Sequence, residues 1–192
     1  MHNLYGERFQ VKFPKGSQHF GLDRNHRLEV INFHISLELF CGANDLTVLF
    51  FHTYFDRVAL TGKDYRSASA IKTQSDKYLI ADAVFMVQNI RRLDLYALEV
   101  FNDTYHTQRI ISSLEQHLIA LENGEPSLEY KIDYGSRVLC VFSNAQTMNL
   151  VMQRLKADIR FEKAKEYFLF KSNSALGVDL FYDWQCFDGS EI

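Results

Sequence analysis

The chain has few residues that break or cross-link a fold. Only two prolines occur among 192 residues, and the three cysteines, Cys41, Cys140 and Cys186, show no CxxC spacing. An odd number of cysteines without metal-site spacing predicts a reduced intracellular protein with buried thiols. No apolar run reaches the ~18 residues that a membrane span needs, and the N-terminus has no apolar signal segment. We therefore expect a cytoplasmic protein with no membrane partner.

Several motifs of common enzyme classes are also missing. The sequence contains no GxxxxGK, GxGxxG or GxSxG segment, which excludes the usual P-loop, dinucleotide fingerprint and nucleophile elbow. HExxH is absent, and the seven histidines include no His-x-His pair. The net charge of −3 argues against a dominant polybasic surface but leaves room for a local basic rim around an acidic site.

The chain is nevertheless rich in core-forming residues, and its length fits one domain. We expect a polar lead-in at residues 1–22 and a single domain at residues 23–192 that ends in a loose acidic tail. On the first predicted helix, Leu28, Ile31, Ile35 and Leu39 recur at helical spacing and should face the core. The predicted elements are a helix at 24–41, strands at 48–55, 78–87 and 95–101, a helix at 105–122, a strand at 137–142, a helix at 145–156, a strand at 167–170 and an edge segment at 178–182. This order predicts an α/β fold with a mixed central sheet flanked by helices.

Asp82 and Glu99 lie one on each of two neighbouring apolar runs, Tyr78–Val87 and Leu95–Phe101. Burying a carboxylate in such a run is costly unless a cationic group lies beside it. Two acids that converge from adjacent strands are a common way to hold a divalent metal with oxygen ligands. The alternative is that the acids cap a strand end or pair with an arginine.

An acid on one strand, an acid on the next and a following helix resemble the PD-(D/E)xK nuclease superfamily. That resemblance implies a restriction-endonuclease-like αβββαβ core in which Asp82, Glu99 and the carbonyl of Val100 hold Mg²⁺ or Mn²⁺. Phe101 stands where the superfamily has its lysine.

The chain from about His26 to Phe170 also resembles the replication-relaxation family, which includes the MOBC class of plasmid relaxases. The resemblance lies in Asn25–Val30, Ala81–Phe85, Leu95–Asn102 and Arg137–Phe142. It implies a metal-dependent endonuclease that nicks DNA at a plasmid transfer origin during mobilisation or conjugative transfer, together with relaxosome proteins. Family members carry a winged-helix domain before this region, which nothing before residue 23 resembles. We expect either a catalytic fragment or a short stand-alone relative.

The family resemblance implies further roles, each with a plainer alternative. His26 would act on the scissile phosphate or a proton, or else cap a helix or fill the core. Asp103 would bind a metal-bound water or simply begin the next helix. Glu38 would complete the site or only contact His34 one turn away. Tyr105 and Tyr96 are candidates for an attacking hydroxyl, although no sequence context singles either out.

DNA contacts are predicted in two places. The stretch 56–77 carries five basic residues against three aspartates, and Arg66 and Lys72 are its candidates for phosphate contacts. Arg109 and Gln116 lie on the outward side of the predicted helix 105–122. Both sets could equally be ordinary solvated surface.

Two other functions stay open. A catalytically inactive DNA-binding or relaxosome module of the same fold would explain Phe101, and a salt bridge from Asp82 to Arg91 or Arg137 would favour it. A small regulatory domain without a nucleic-acid partner is the third possibility.

Overall fold

The computed structural model describes residues 24–59, 65–90, 92–102, 106–133, 136–172 and 180–190. Its helices are α1 (Arg24–Ala43), α2 (Thr107–Glu122), α3 (Glu125–Tyr130) and α4 (Ala145–Ala157), with a 3₁₀ helix at Ile159–Tyr167. Its strands are β1 (Thr47–Thr53), β2 (Arg57–Ala59), β3 (Tyr65–Ser67), β4 (Ala70–Lys72), β5 (Tyr78–Ile80), β6 (Ala83–Gln88), β7 (Leu93–Phe101), β8 (Arg137–Phe142), β9 (Phe168–Ser172) and β10 (Gln185–Cys186).

A mixed six-stranded sheet forms the centre, in the order β1-β6-β7-β8-β9-β10. The β1–β6 and β6–β7 pairs are antiparallel, and the β7–β8 and β8–β9 pairs are parallel. The parallel β7–β8 pair is connected through α2 and α3, as a parallel crossover requires. The predicted mixed sheet with flanking helices is therefore confirmed.

Each face of the sheet buries its own apolar cluster. On one face, α1 packs Val30, Phe33 and Leu37 against alternate residues of β6, β7 and β8. On the other face lie α2, α4, the 3₁₀ helix and the β4–β5 hairpin. Because both faces are covered, β8 is an almost continuous apolar run, Val138–Phe142, with no polar alternation. Among the described residues, no helix is both long and apolar enough to cross a membrane.

The predicted core face of α1 is wrong. Leu28, Ile35 and Leu39 are 41%, 37% and 47% exposed, while the buried side chains of this helix are His26, Val30, Phe33, Leu37, Phe40 and Cys41. Two apolar sets with the same helical period share this helix. The set that contains the aromatic residues is buried. Its Phe33 contacts Phe85 of β6 with ring centroids 5.7 Å apart.

Two short hairpins form where the sequence predicts mainly a polar loop. β2 pairs with β3 and β4 pairs with β5, each over three residues. We call the segment that carries these two hairpins, between β1 and β6, the hairpin arm. Ser69 Oγ donates a buried hydrogen bond of 2.6 Å to the carbonyl of Ala81 and so fastens the base of the arm beside Asp82. Three-residue strands are too short to give a readable alternation, which is why the sequence did not predict them.

The reversed face of α1 predicts a sharp contrast between two substitutions on one helix. Phe33→Ala should lower the free energy of unfolding by about 3–5 kcal/mol, because it leaves a cavity under a fully buried ring. Leu39→Ala, on the exposed side, should change it by no more than about 0.5 kcal/mol. Urea unfolding of both variants measures the difference, and equal losses would contradict the observed orientation.

Candidate functional site

Asp82 lies in a bend between β5 and β6, not within one continuous strand as the sequence predicts. Its carbonyl accepts a hydrogen bond of 3.0 Å from the backbone N–H of Tyr54. Its carboxylate contacts two other elements: Oδ1 lies 2.8 Å from His26 Nε2 on α1, and Oδ2 accepts a 2.7 Å bond from the N–H of Val100 on β7. Asp82 is thereby fixed between the first helix and the strand that carries Glu99.

His26 is the third residue of α1, and only 6% of its surface is exposed. Its ring lies 5.6 Å from the ring of Tyr54, whose backbone also contacts Asp82. The structure therefore brings His26 and Asp82 together, although 56 residues separate them. Tyr54, which sequence reasoning did not single out, belongs to the same group.

Glu99 lies on β7 and points toward the opposite face of the sheet, where α2 covers it. Its Oε1 lies 2.6 Å from His117 Nε2, and the two side chains are 8% and 3% exposed. Burial raises the pKa of Glu99, and the charge of Asp82 raises it further, while the hydrogen bond from His117 lowers it. Burial, followed by the charge of Glu99, also raises the pKa of Cys140, the residue opposite Glu99 on β8.

Sequence reasoning missed His117, although a signal for it exists. His117 follows Leu114 by three residues and directly precedes Leu118, so it lies on the buried stripe of α2. A histidine on that stripe faces the sheet, and Glu99 is a buried acid on the strand beneath it. His117 could therefore have been predicted from the helical spacing as a hydrogen-bonding partner of Glu99.

Asp82 lies beside the end of β7 that carries Glu99 and Val100, near enough for its charge to act on the pKa of Glu99, and oxygen donors of this kind are what a hard cation prefers. The N–H of Val100 points toward Asp82, and the N–H and C=O groups of one strand residue face the same neighbour, so its carbonyl faces that side too. The two carboxylates make their histidine contacts on opposite faces of the sheet, Asp82 with His26 on α1 and Glu99 with His117 on α2. Among the described residues, no group of three or more His, Cys, Asp or Glu is arranged as a metal site. A bound Mg²⁺ or Mn²⁺ would therefore take its remaining ligands from water or substrate.

Phe101 does not leave room for a lysine-like group. Its side chain is 3% exposed and packs against the ring of Phe142 with centroids 4.9 Å apart. The position two residues after Glu99 is thus part of the apolar core under α2.

The predicted DNA-contacting residues are exposed or partly exposed, and the two on the hairpin arm have carboxylate partners. Arg66 pairs with Glu129 at 3.0 Å, and Lys72 pairs with Asp76 at 3.0 Å. Arg109 and Gln116 are both exposed on α2.

The remaining candidates are not brought to the site. Glu38 contacts His34 at 3.4 Å, as the local alternative predicts, and lies about 18 Å along α1 from His26. Tyr96 packs into the cluster under α1, on the face away from Glu99, and Arg137 hydrogen-bonds to it. Arg137 is therefore engaged at the far end of β7. Asp103, Tyr105 and Arg91 lie outside the described residues.

Comparison with known proteins gives no match: no family model, no curated protein and no solved structure matches this chain. The likeness to the replication-relaxation family stays a prediction that depends on the residues quoted for it.

The raised pKa of Glu99 predicts a pH dependence of stability. The unfolded chain loses the proton of this residue near pH 4.3, whereas the folded chain holds it to higher pH. Stabilisation from the protonated carboxyl is therefore present below about pH 4.3 and is lost as the pH rises through the folded pKa. Glu99→Gln should remove this component, so the free energy of unfolding of the variant should fall less over that range. Urea unfolding at a series of pH values measures it, and parallel curves would contradict it.

Proposed function

We propose that this chain is a metal-dependent DNA strand-nicking domain of the restriction-endonuclease-like fold, acting as or within a relaxase in plasmid mobilisation. The observation that carries the proposal is the hydrogen bond from the N–H of Val100, the residue after Glu99, to Asp82 Oδ2, which fixes Asp82 beside the end of the strand that carries Glu99. The sheet supports the fold assignment, because β1, β6 and β7 form an antiparallel unit that β8 joins in parallel after a helix.

In this proposal, Asp82, Glu99 and the carbonyl of Val100 hold Mg²⁺ or Mn²⁺. When bound, such an ion polarises a phosphate oxygen and makes a bound water more acidic. His26 and His117 each orient one carboxylate, and such hydrogen-bonded partners normally fix the direction of metal-binding groups. His26 is also the group that can hold or release a proton beside Asp82.

DNA is the proposed substrate, and the transfer origin and relaxosome proteins are the proposed context. These assignments depend on the family resemblance rather than on a contact within the molecule. The position of Phe101 places one limit on the mechanism, since charge at the phosphate would have to be neutralised from another residue.

A second function has its own support. Both carboxylates already have histidine partners. Phe101, which stands where the superfamily has its lysine, packs against Phe142 as part of the apolar core. These features suit a catalytically inactive DNA-binding or relaxosome module. In such a module the two histidine–carboxylate pairs would serve to hold α1 and α2 on the sheet.

Calorimetric titration with Mn²⁺ separates the two functions. The nuclease proposal predicts one site on the wild type and its loss in Asp82→Ala, because that substitution removes a proposed ligand. Asp94→Ala is the matched control, since Asp94 lies on β7 but pairs with Arg92 at the other end of the strand. The nuclease proposal also predicts that the wild type and Asp94→Ala nick supercoiled plasmid and that Asp82→Ala does not.

Wild-type protein that binds no Mn²⁺, even with DNA present, would refute the nuclease proposal and leave the interaction module standing. Loss of binding in Asp94→Ala as well would show that the titration reports something other than this site.

A further inference from the structure

A band of aromatic and basic side chains crosses the surface from the sheet edge to the hairpin arm. We call it the aromatic–cationic strip, and it consists of His52, Phe50, Tyr130, Arg66, Tyr78 and Lys72. Its members come from four separate segments: edge strand β1, helix α3, and the two hairpins of the arm. None of the six is fully buried.

Three rings form one end of the strip. Phe50 stacks on His52 with centroids 4.5 Å apart and on Tyr130 with centroids 5.2 Å apart. The planes of Phe50 and Tyr130 differ by only 14°. Burial raises the pKa of Tyr130 to about 12, so its hydroxyl stays neutral and the ring presents no competing negative charge.

Arg66 joins these rings to the other end of the strip. Its guanidinium lies 5.9 Å from the ring centroid of Tyr78, pairs with Glu129, and is close enough to Tyr130 to lower the pKa of that hydroxyl against the effect of burial. Lys72 is directly opposite Tyr78 in the β4–β5 pair. Its partner, Asp76, is exposed, and such a surface ion pair is readily exchanged for a phosphate.

The strip begins on the same face of the sheet as Glu99. Phe50 packs against the cluster under α2, on the same face of the sheet as Glu99 and His117. His52 is opposite Val84, and Val84 is opposite Ala97, two residues before Glu99. Two strand spacings of about 4.8 Å and a two-residue offset of about 6.8 Å put the Cα atoms of His52 and Glu99 about 12 Å apart. Three or four stacked nucleotides, at about 3.4 Å each, span that distance.

We propose that the aromatic–cationic strip binds a single-stranded segment of nucleic acid, with unpaired bases stacked on its rings and phosphates beside Arg66 and Lys72. Aromatic rings alternating with basic groups suit an unpaired strand, because every base has a face that can stack on a ring. The bases of a duplex are stacked on one another and do not present those faces. The inference rests on the proposed function, since it places the strand next to Asp82 and Glu99.

Fluorescence anisotropy in the presence of EDTA tests the strip without any cleavage. The probes are a labelled oligothymidylate of about 20 nucleotides, longer than typical single-strand footprints, and an abasic strand of the same length, which keeps the phosphates and lacks the bases. Wild-type protein should bind the oligothymidylate at least about fivefold more tightly, as one stacked base provides. Because both probes are compared on the same wild-type protein, this test does not depend on whether a mutation disturbs folding.

Tyr78→Leu should weaken oligothymidylate binding by a similar factor and leave abasic binding unchanged, whereas Tyr78→Phe should bind like the wild type. Tyr167→Leu is the matched control: Tyr167 is also 43% exposed but lies beside β9, four strands away from β1. Equal affinity of the wild type for both probes would overturn the proposal that the strip binds a single strand. Equal losses of oligothymidylate affinity in Tyr78→Leu and Tyr167→Leu would also overturn it. If the wild type still nicks plasmid in that case, the proposed function survives; binding of neither probe together with no nicking would overturn both.

Discussion

The contacts between two carboxylates and two histidines hold the two sides of this fold together. His26 approaches Asp82 from α1, and His117 approaches Glu99 from α2, so helices on opposite faces of the sheet meet the same end of β7. Val100 completes the connection through its N–H group. Glu99 could not be buried at this depth alone, because an unpaired buried carboxylate carries a large desolvation penalty. The sheet end, the start of α1 and the middle of α2 are thus positioned by one shared requirement.

That requirement bears on both candidate functions in the same way. A buried acid with a histidine partner is a stable structural element, and its partner also orients the carboxylate oxygens. The raised pKa of Glu99 reflects first its burial and then the nearby charge of Asp82. A divalent cation would relieve the repulsion between the two acids, which is the physical reason why the nuclease proposal and the existing histidine contacts are compatible.

The sequence predicts the elements whose pattern is local and misses the contacts that depend on the crossover. Arg137–Phe142 is an apolar run between polar residues, and its bounds agree with β8. On α4, which the sequence predicts at 145–156, the apolar residues at helical spacing are all buried: Met148, Val151, Met152 and Leu155. On α1, two apolar sets have the same period, and only packing against Phe85 selects between them. The pair of His117 and Glu99 spans 18 residues and forms only once α2 lies across the sheet.

The hairpin arm leaves β1 and returns to β6 at neighbouring positions. Thr53 is opposite Ala83, and the next residue, Tyr54, donates its N–H to Asp82. The β1–β6 pairing is therefore complete where the arm leaves and returns. The entropic cost of closing a longer connection at this point would grow only slowly with its length. Insertions or deletions in the largely exposed β2–β3 hairpin would alter the outer surface, whereas the β4–β5 hairpin contributes Ile71 and Leu79 to the core and Ser69 anchors it beside Asp82. The fold thus separates a variable outer hairpin from the fixed contacts of Asp82.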